Sequence, residues 1–122
     1  MADSTRLVKA IEALDHALSF KGKAQHDSFY AAGLAKSFET CFGYAWKFLK
    51  QEVTEHGMEA HSPRDAIKTA GRIGLLDDVE AWLGFLEDRN LSVHDYLGVD
   101  DQGYLDTINA FRVSVGKLIE RE

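Results

Sequence analysis

The scarcity of helix breakers constrains this chain more than any other feature of its sequence. Pro63 is the only proline among 122 residues, and no long segment alternates apolar and polar residues with the period of two that a half-buried strand requires. Apolar residues recur instead at intervals of three and four, as they do on one face of an α-helix. The sequence therefore predicts an all-α fold, an antiparallel up-and-down bundle of four long helices with one additional short helix.

Capping residues and glycines mark the ends of five predicted helices. The helices begin at Asp3 or Ser4, at Asp27 or Ser28, at Pro63 after an N-cap at Ser62, at Leu75 to Asp78, and at Asp100 or Asp101. They end at about Phe20 before Lys21-Gly22-Lys23, at His56-Gly57, at about Ile73 before Gly74, at Leu97-Gly98-Val99 and in the C-terminal region. The second helix has aromatic residues on more than one stripe, so it is either the centre of the bundle or also a subunit interface. The last helix is expected to bury Leu105, Ile108, Phe111 or Arg112, Val115 and Leu118.

Composition narrows the class of protein. The length suits one domain, residues 1–122, and no apolar run approaches the ~18 residues of a membrane span. With no signal-peptide core and a single cysteine, Cys41, we expect a cytoplasmic protein in which Cys41 is a buried apolar side chain. The net charge of −6 argues against broad binding to nucleic acid, so any RNA contact must lie in a local positive pocket.

Reactive side chains are densest in residues 87–96, Glu-Asp-Arg-Asn-Leu-Ser-Val-His-Asp-Tyr. On a helix of ~3.6 residues per turn, Arg89 falls within an apolar arc and Asn90 lies at its edge. The arc is formed by Val79, Trp82, Phe85, Leu86 and Val93. A guanidinium on a core-facing stripe is costly unless an anion meets it. A continuous helix would gather Arg89, Asn90, His94 and Tyr96 around one spot, which predicts a cleft rather than a core.

Several features have plainer interpretations. Arg89-Asn90 is also what a simple helix C-terminus looks like, and Tyr96 is also what a packed amphipathic residue looks like. Trp46 and Trp82 are expected to be core anchors, and Asp77-Asp78 to be caps rather than a metal pair. His56 and His61, with Glu55 and Glu59, form a weak zinc-like cluster that is better explained as a solvated loop, so neither a metal nor a cofactor is expected.

A longer pattern resembles a known family, the nucleotidyltransferase substrate-binding proteins, which are the HepT-like branch of the HEPN superfamily. The matching residues run in order from about the second helix to the start of the fifth. They are Phe38-Glu39, Ala45-Trp46-Lys47, Lys50, Ser62-Pro63-Arg64, Gly74-Leu75-Leu76-Asp77-Asp78, Trp82, Leu86-Glu87-Asp88-Arg89-Asn90, His94 and Tyr96. Within them, Arg89, His94 and Tyr96 match the arginine-x4-histidine-x-tyrosine signature of HepT-like toxins. Gly43 departs from the pattern, since relatives commonly have a glutamate there.

The resemblance implies a helical homodimer that is bound by a minimal nucleotidyltransferase. Two activities are implied as alternatives. In one, the protein is the toxin of a toxin–antitoxin pair and cleaves RNA without metal until its partner transfers AMP onto Tyr96. In the other, it is a non-catalytic subunit that holds the substrate of the nucleotidyltransferase.

The motif residues suit RNA cleavage chemically. His94 can act as base or acid near neutral pH, and Arg89 can hold phosphate oxygens in bidentate fashion. Asn90 could orient His94 or a phosphate oxygen, and Asp88 or Asp95 could fix the imidazole tautomer. One histidine cannot be base and acid at once, so the chemistry favours a two-fold dimer whose groove holds both copies of the motif and the RNA.

Overall fold

Residues 2–92 and 102–120 are described by a computed structural model, and within them the chain forms six α-helices and no strands. The helices are α1 Thr5–Leu18, α2 Lys21–Ala24, α3 Ser28–Glu55, α4 Pro63–Arg72, α5 Val79–Ser92 and α6 Gln102–Glu120. The all-α bundle predicted from the sequence is confirmed. None of the described helices is both long enough and apolar enough to cross a membrane.

The N-termini of α3 and α4 are fixed by the side chains that the sequence suggested. The Asp27 carboxylate accepts a hydrogen bond from the Phe29 N–H at 2.9 Å, and the Ser62 hydroxyl accepts one from the Asp65 N–H at 3.1 Å. Each satisfies one of the N–H groups that have no partner in the first helical turn. Gly57 and Gly74, at φ of +83° and +82°, follow the ends of the same helices. These left-handed positions favour glycine because it has no Cβ.

Two predicted boundaries differ from the structure. The first helix ends at Leu18, two residues before the predicted end at about Phe20, but Lys21-Gly22-Lys23, which were expected to terminate it, form most of α2, where Ala24 is buried. The prediction that helix resumes within Leu75 to Asp78 also fails. The Leu75 N–H donates to the Ala70 carbonyl at 2.9 Å, closing the turn through Gly74, and α5 begins only at Val79. The predicted breaks at Leu97-Gly98-Val99 and at Asp100 or Asp101 lie outside the described residues.

Helix α3 is the centre of the bundle. Helices α1, α2, α4 and α5 all pack against it, and α6, which packs against α5 and α1, also reaches it through the ring of Phe111. This arrangement explains why apolar residues occur on more than one stripe of α3, since a helix with several neighbours must present an apolar surface to each of them.

Phe111 of α6 joins the aromatic core that holds α3, α5 and α6 together. Its ring centroid lies 5.3 Å from that of Phe38, 5.9 Å from Phe42, 5.7 Å from Trp82 and 5.6 Å from Phe85. Three of these contacts are edge-on, a geometry that aromatic rings prefer to a face-to-face sandwich. The core therefore fixes the orientation of α5 through Trp82 and Phe85.

The prediction for the last helix is confirmed, with Phe111 rather than Arg112 facing the core. The buried residues of α6 include Leu105, Ile108, Phe111, Val115 and Leu118. Arg112 is half-buried, and its Nε and Nη2 atoms donate to the two oxygens of Asp15 at 2.5 and 3.0 Å. This bidentate pair ties α6 to α1.

The close approach of α4 and α5 yields a test of the packing. A Cβ at Gly71 would collide with the Val79 side chain at the start of α5, whereas a Cβ at Gly33, on the exposed surface of α3, would have no neighbour within 4 Å. We expect Gly71→Ala to lower the free energy of unfolding by about 1–3 kcal/mol and Gly33→Ala to raise it by up to ~1 kcal/mol. Urea denaturation measures both, and stabilisation by Gly71→Ala would contradict the contact.

The Cys41 thiol makes stability depend on pH. Burial raises the pKa of this thiol to about 12, whereas an unfolded cysteine titrates near ~8.5. Between pH ~8.5 and about 12 the unfolded chain loses the thiol proton and the folded chain keeps it. The free energy of unfolding should therefore fall by up to ~1.4 kcal/mol per pH unit in this range. Denaturation series from about pH 7 to 10 measure the slope. Cys41→Ala should show a shallower decline, and an unchanged slope would contradict the assignment.

Candidate functional site

Arg89 lies on the inner side of α5. It is half-buried and follows Phe85 and Leu86, which are both buried, by four and three residues. Those intervals place all three side chains on neighbouring stripes of one helix. The fully buried Trp82 completes the ridge one turn earlier, while Val93, predicted to extend it, lies outside the described residues.

The arginine lines a cavity of about 240 Å³ between α5 and α3. Every other lining residue in the described part of the chain comes from α3: Lys36, Glu39, Thr40, Gly43, Tyr44 and Lys47. Three cations thus share this cavity with one acid. A cavity with that excess of positive charge suits an anionic ligand that can accept several hydrogen bonds, such as a phosphate group.

Glu39 is the acid, and sequence reasoning did not assign it to the site. Its side chain is only 9% exposed, although it borders the same cavity as Arg89. A buried carboxylate and a half-buried guanidinium in one cavity each lower the desolvation cost of the other. The available signal was an acid next to Phe38 and Phe42 within an otherwise apolar part of α3.

Gly43 lies one helical turn after Glu39 and leaves the cavity open. A Cβ built at Gly43 would have no heavy atom within 4 Å, so a larger side chain would find unoccupied space there. The position where relatives were expected to carry an acid is therefore part of the cavity wall. Glu39 supplies the only carboxylate among the described residues that line it.

The remaining site candidates within the described residues do not line this cavity. Asn90 is exposed and is absent from the cavity lining. Asp88 is half-buried, and its Oδ2 accepts a hydrogen bond from the Thr107 hydroxyl of α6 at 2.7 Å. This bond anchors α5 to α6 one residue before Arg89. His94, Asp95 and Tyr96 lie outside the described residues, so the predicted approach of His94 and Tyr96 to Arg89 stays a prediction.

Other polar groups singled out in the sequence are peripheral. The His56 ring Nδ1 lies 2.8 Å from the Glu52 carbonyl at the end of α3, and His61 and Glu59 form a solvent-exposed pair at 3.4 Å. Among the residues whose structure is described, no three His, Cys, Asp or Glu side chains are grouped so as to hold a metal ion. Trp82 is a fully buried core residue as predicted, and Trp46 packs against the core but is only half-buried and also borders a surface groove.

Comparison with known proteins relates this chain to one family and to solved structures. The sequence profile of the family described as "nucleotidyltransferase substrate binding protein like" matches residues 2–121. Among solved structures, the chain is similar to a crystal structure of a protein from Thermus thermophilus, with 25% identity and a TM-score of 0.64 over 86% of this chain and 98% of that one. No curated protein matches the chain.

The hydrogen bond from Thr107 to Asp88 can be tested by its contribution to stability. Thr107→Val keeps the side-chain shape but leaves Asp88 without that donor, so we expect the free energy of unfolding to fall by about 1–2 kcal/mol. The control is Thr54→Val, because the exposed Thr54 hydroxyl bonds only the Lys50 carbonyl of its own helix, and its cost should be below ~0.5 kcal/mol. In an Asp88→Asn background the Thr107 effect should shrink. Equal losses in the free energy of unfolding for the two threonine variants would show that the hydrogen bond from Thr107 to Asp88 does not stabilise α5.

Proposed function

Because the chain belongs to the nucleotidyltransferase substrate-binding-like family, we propose that it is a HepT-like toxin, a metal-independent endoribonuclease that a partner minimal nucleotidyltransferase neutralises by AMPylation of Tyr96. The observation that supports this most is the placement of Arg89, half-buried on the core side of α5 and facing a cavity rich in cations. A structural arginine has no need of two further lysines beside it. A phosphate-binding arginine benefits from both.

The proposed reaction is an internal transesterification of RNA. A base removes the proton of a ribose 2′-hydroxyl, the 2′-oxygen forms a bond to the adjacent phosphorus, and the bond from phosphorus to the 5′-oxygen breaks. An acid protonates that leaving oxygen, so the products carry a 2′,3′-cyclic phosphate and a 5′-hydroxyl. In this scheme Arg89 neutralises the charge gathering on the phosphate oxygens, and Asn90 orients His94 or a phosphate oxygen.

The scheme calls for two histidines, and a homodimer supplies them. We propose that His94 of one protomer acts as the base and His94 of its partner acts as the acid, with the RNA in the groove between them. Asp88 or Asp95 would hold the imidazole tautomer. Since the Asp88 carboxylate already accepts a bond from Thr107, Asp95 is the better candidate for this role.

Control by the partner follows from the position of Tyr96, seven residues after Arg89. The phenol oxygen would attack the α-phosphorus of ATP and lose its proton, and diphosphate would leave. The resulting ester carries one negative phosphate and a bulky nucleoside. The phosphate would compete with RNA for the cations of the Arg89 cavity, and the nucleoside would block the RNA sterically.

A second candidate function uses the same cavity without cleavage. As the family description suggests, the chain could present a nucleotide or phosphorylated acceptor to a nucleotidyltransferase. The cavity of about 240 Å³ with its three cations fits one phosphate-bearing group. Such a subunit would be harmless when expressed alone and would raise the activity of its partner.

Growth measurements test the cleavage proposal. Expression of the chain alone should slow bacterial growth. His94→Ala should relieve the effect, because removal of a general acid–base typically costs about 10²–10⁴-fold in rate. Arg89→Lys should also relieve it, because lysine cannot hold the phosphate oxygens in bidentate fashion. The matched controls are His61→Ala and Arg72→Lys, since neither residue borders the α3–α5 cavity. Equal toxicity of His94→Ala and the wild type would remove His94 from the mechanism.

Mass spectrometry tests the switch separately. Co-expression with a minimal nucleotidyltransferase encoded beside this chain should add one AMP to the wild type and none to Tyr96→Phe. Tyr104→Phe serves as the control and should still gain AMP. Modification of Tyr96→Phe to the wild-type extent would place the acceptor elsewhere.

A further inference from the structure

The Arg89 cavity is one end of a longer surface groove along α3. Tyr44 and Lys47 border both this cavity and a second one of about 270 Å³, which reaches α1 at Arg6. Lys47 and Gln51 border the second cavity and also a third, of about 720 Å³, which Trp46 lines. These three neighbouring cavities, which share wall residues along α3, are together called the α3 groove.

The floor of the α3 groove follows a single stripe of the helix. The stripe consists of Lys36, Thr40, Gly43, Lys47, Lys50 and Thr54, at intervals of three and four residues. All six are exposed or half-exposed. At ~1.5 Å per residue the stripe is ~27 Å long, and its first and last lysines are ~21 Å apart.

The groove concentrates positive charge in an acidic protein. Among the residues that the structure describes, its walls contain five lysines and arginines and three acids. The cations are Arg6, Lys36, Lys47, Lys50 and Arg89, and the acids are Asp3, Glu39 and Glu55. One of those acids, Asp3, accepts hydrogen bonds from the N–H and hydroxyl of Thr5 at 2.9 and 2.6 Å. The net charge of −6 repels a polyanion from the protein as a whole, and the groove provides a local positive surface that can attract one.

Trp46 adds an aromatic surface to the track of cations. It is half-buried, packs partly against the core and lines the cavity of about 720 Å³, four residues before Lys50. Nucleic-acid bases stack on such side chains regardless of sequence, while flanking cations hold the phosphates. The incomplete burial of Trp46, which the sequence did not predict, is consistent with that use.

We propose that the α3 groove binds single-stranded RNA and leads the RNA strand into the Arg89 cavity. The phosphates bind Arg6, Lys36, Lys47 and Lys50, and one base stacks on Trp46. The proposal rests on the proposed function, since it supplies the substrate path of that site. A mononucleotide is too short to span ~21 Å between lysines. A second copy of α3 packed on the same groove is also disfavoured, because each copy would bring five cations and only three carboxylates of the described residues into the contact.

Fluorescence anisotropy with the full chain tests this path without requiring cleavage. The probe is a labelled RNA of about 12 nucleotides, fully 2′-O-methylated so that it has no 2′-hydroxyl to react. The double variant Lys47→Gln/Lys50→Gln should bind at least about tenfold more weakly, and its slope of log affinity against log salt should be shallower by ~1.4, because each lost phosphate contact on a single strand removes ~0.7. The control, Lys9→Gln/Lys68→Gln, changes net charge equally at exposed sites outside the groove and should bind like wild type.

Trp46→Leu tests the stacking contact. It should weaken binding about tenfold while leaving the salt slope unchanged, because stacking releases no counterions. Urea denaturation of each variant verifies that it is folded at the assay temperature.

The outcomes separate this proposal from the proposed function. Strong binding by a wild-type chain that does not cleave unmodified RNA would uphold the groove and refute the ribonuclease. Wild-type affinity and slope in Lys47→Gln/Lys50→Gln, or equal weakening in both double variants, would overturn the groove. So would a double variant that binds RNA normally but loses self-association or its partner protein, since the surface would then be a protein interface.

Discussion

The candidate site depends on a guanidinium, that of Arg89, held on the core side of α5. Arg89 continues the ridge of Trp82, Phe85 and Leu86, where a charge is stable only if it keeps access to water or to an anion. The cavity against α3 opens to solvent, and Glu39 on its wall provides one negative charge. Because Lys36 and Lys47 border the same cavity, one carboxylate leaves an excess of positive charge. That residual charge makes the cavity a candidate anion site rather than a closed internal ion pair.

Helix α3 serves both the core and this site, which couples folding to the proposed activity. One side of it holds Phe38 and Phe42 against Phe111, and another side carries the cations of the α3 groove. The aromatic contacts from Phe111 to Trp82 and Phe85 fix how α5 lies against α3. The bond from Thr107 to Asp88 adds a polar tie next to Arg89. The shape of the cavity is thus set by packing that needs no ligand to form.

The sequence predicted what depends on local rules and periodicity. The Asp27 and Ser62 caps, the apolar face of α6 and the inward position of Arg89 all follow from spacing along one helix. It did not predict that Glu39 borders the Arg89 cavity, because that depends on how α3 and α5 are placed side by side. The exposure of Trp46 was missed for the same reason, since an aromatic residue on a central helix is buried only where a neighbour covers it. Lys21–Ala24 was misassigned because a glycine flanked by lysines fits a helix end as well as a single helical turn.

The central chemical claim is that a guanidinium and an imidazole cleave RNA by transesterification without metal. The most direct measurement uses an oligonucleotide that is DNA except for one ribonucleotide, incubated with the purified chain in excess EDTA, with the termini of the products identified by mass spectrometry. We expect cleavage only after the ribonucleotide, giving a 2′,3′-cyclic phosphate and a 5′-hydroxyl, and none in the all-DNA control. Cleavage that leaves a 5′-phosphate, that needs added metal, or that proceeds equally on the all-DNA strand would contradict the claim.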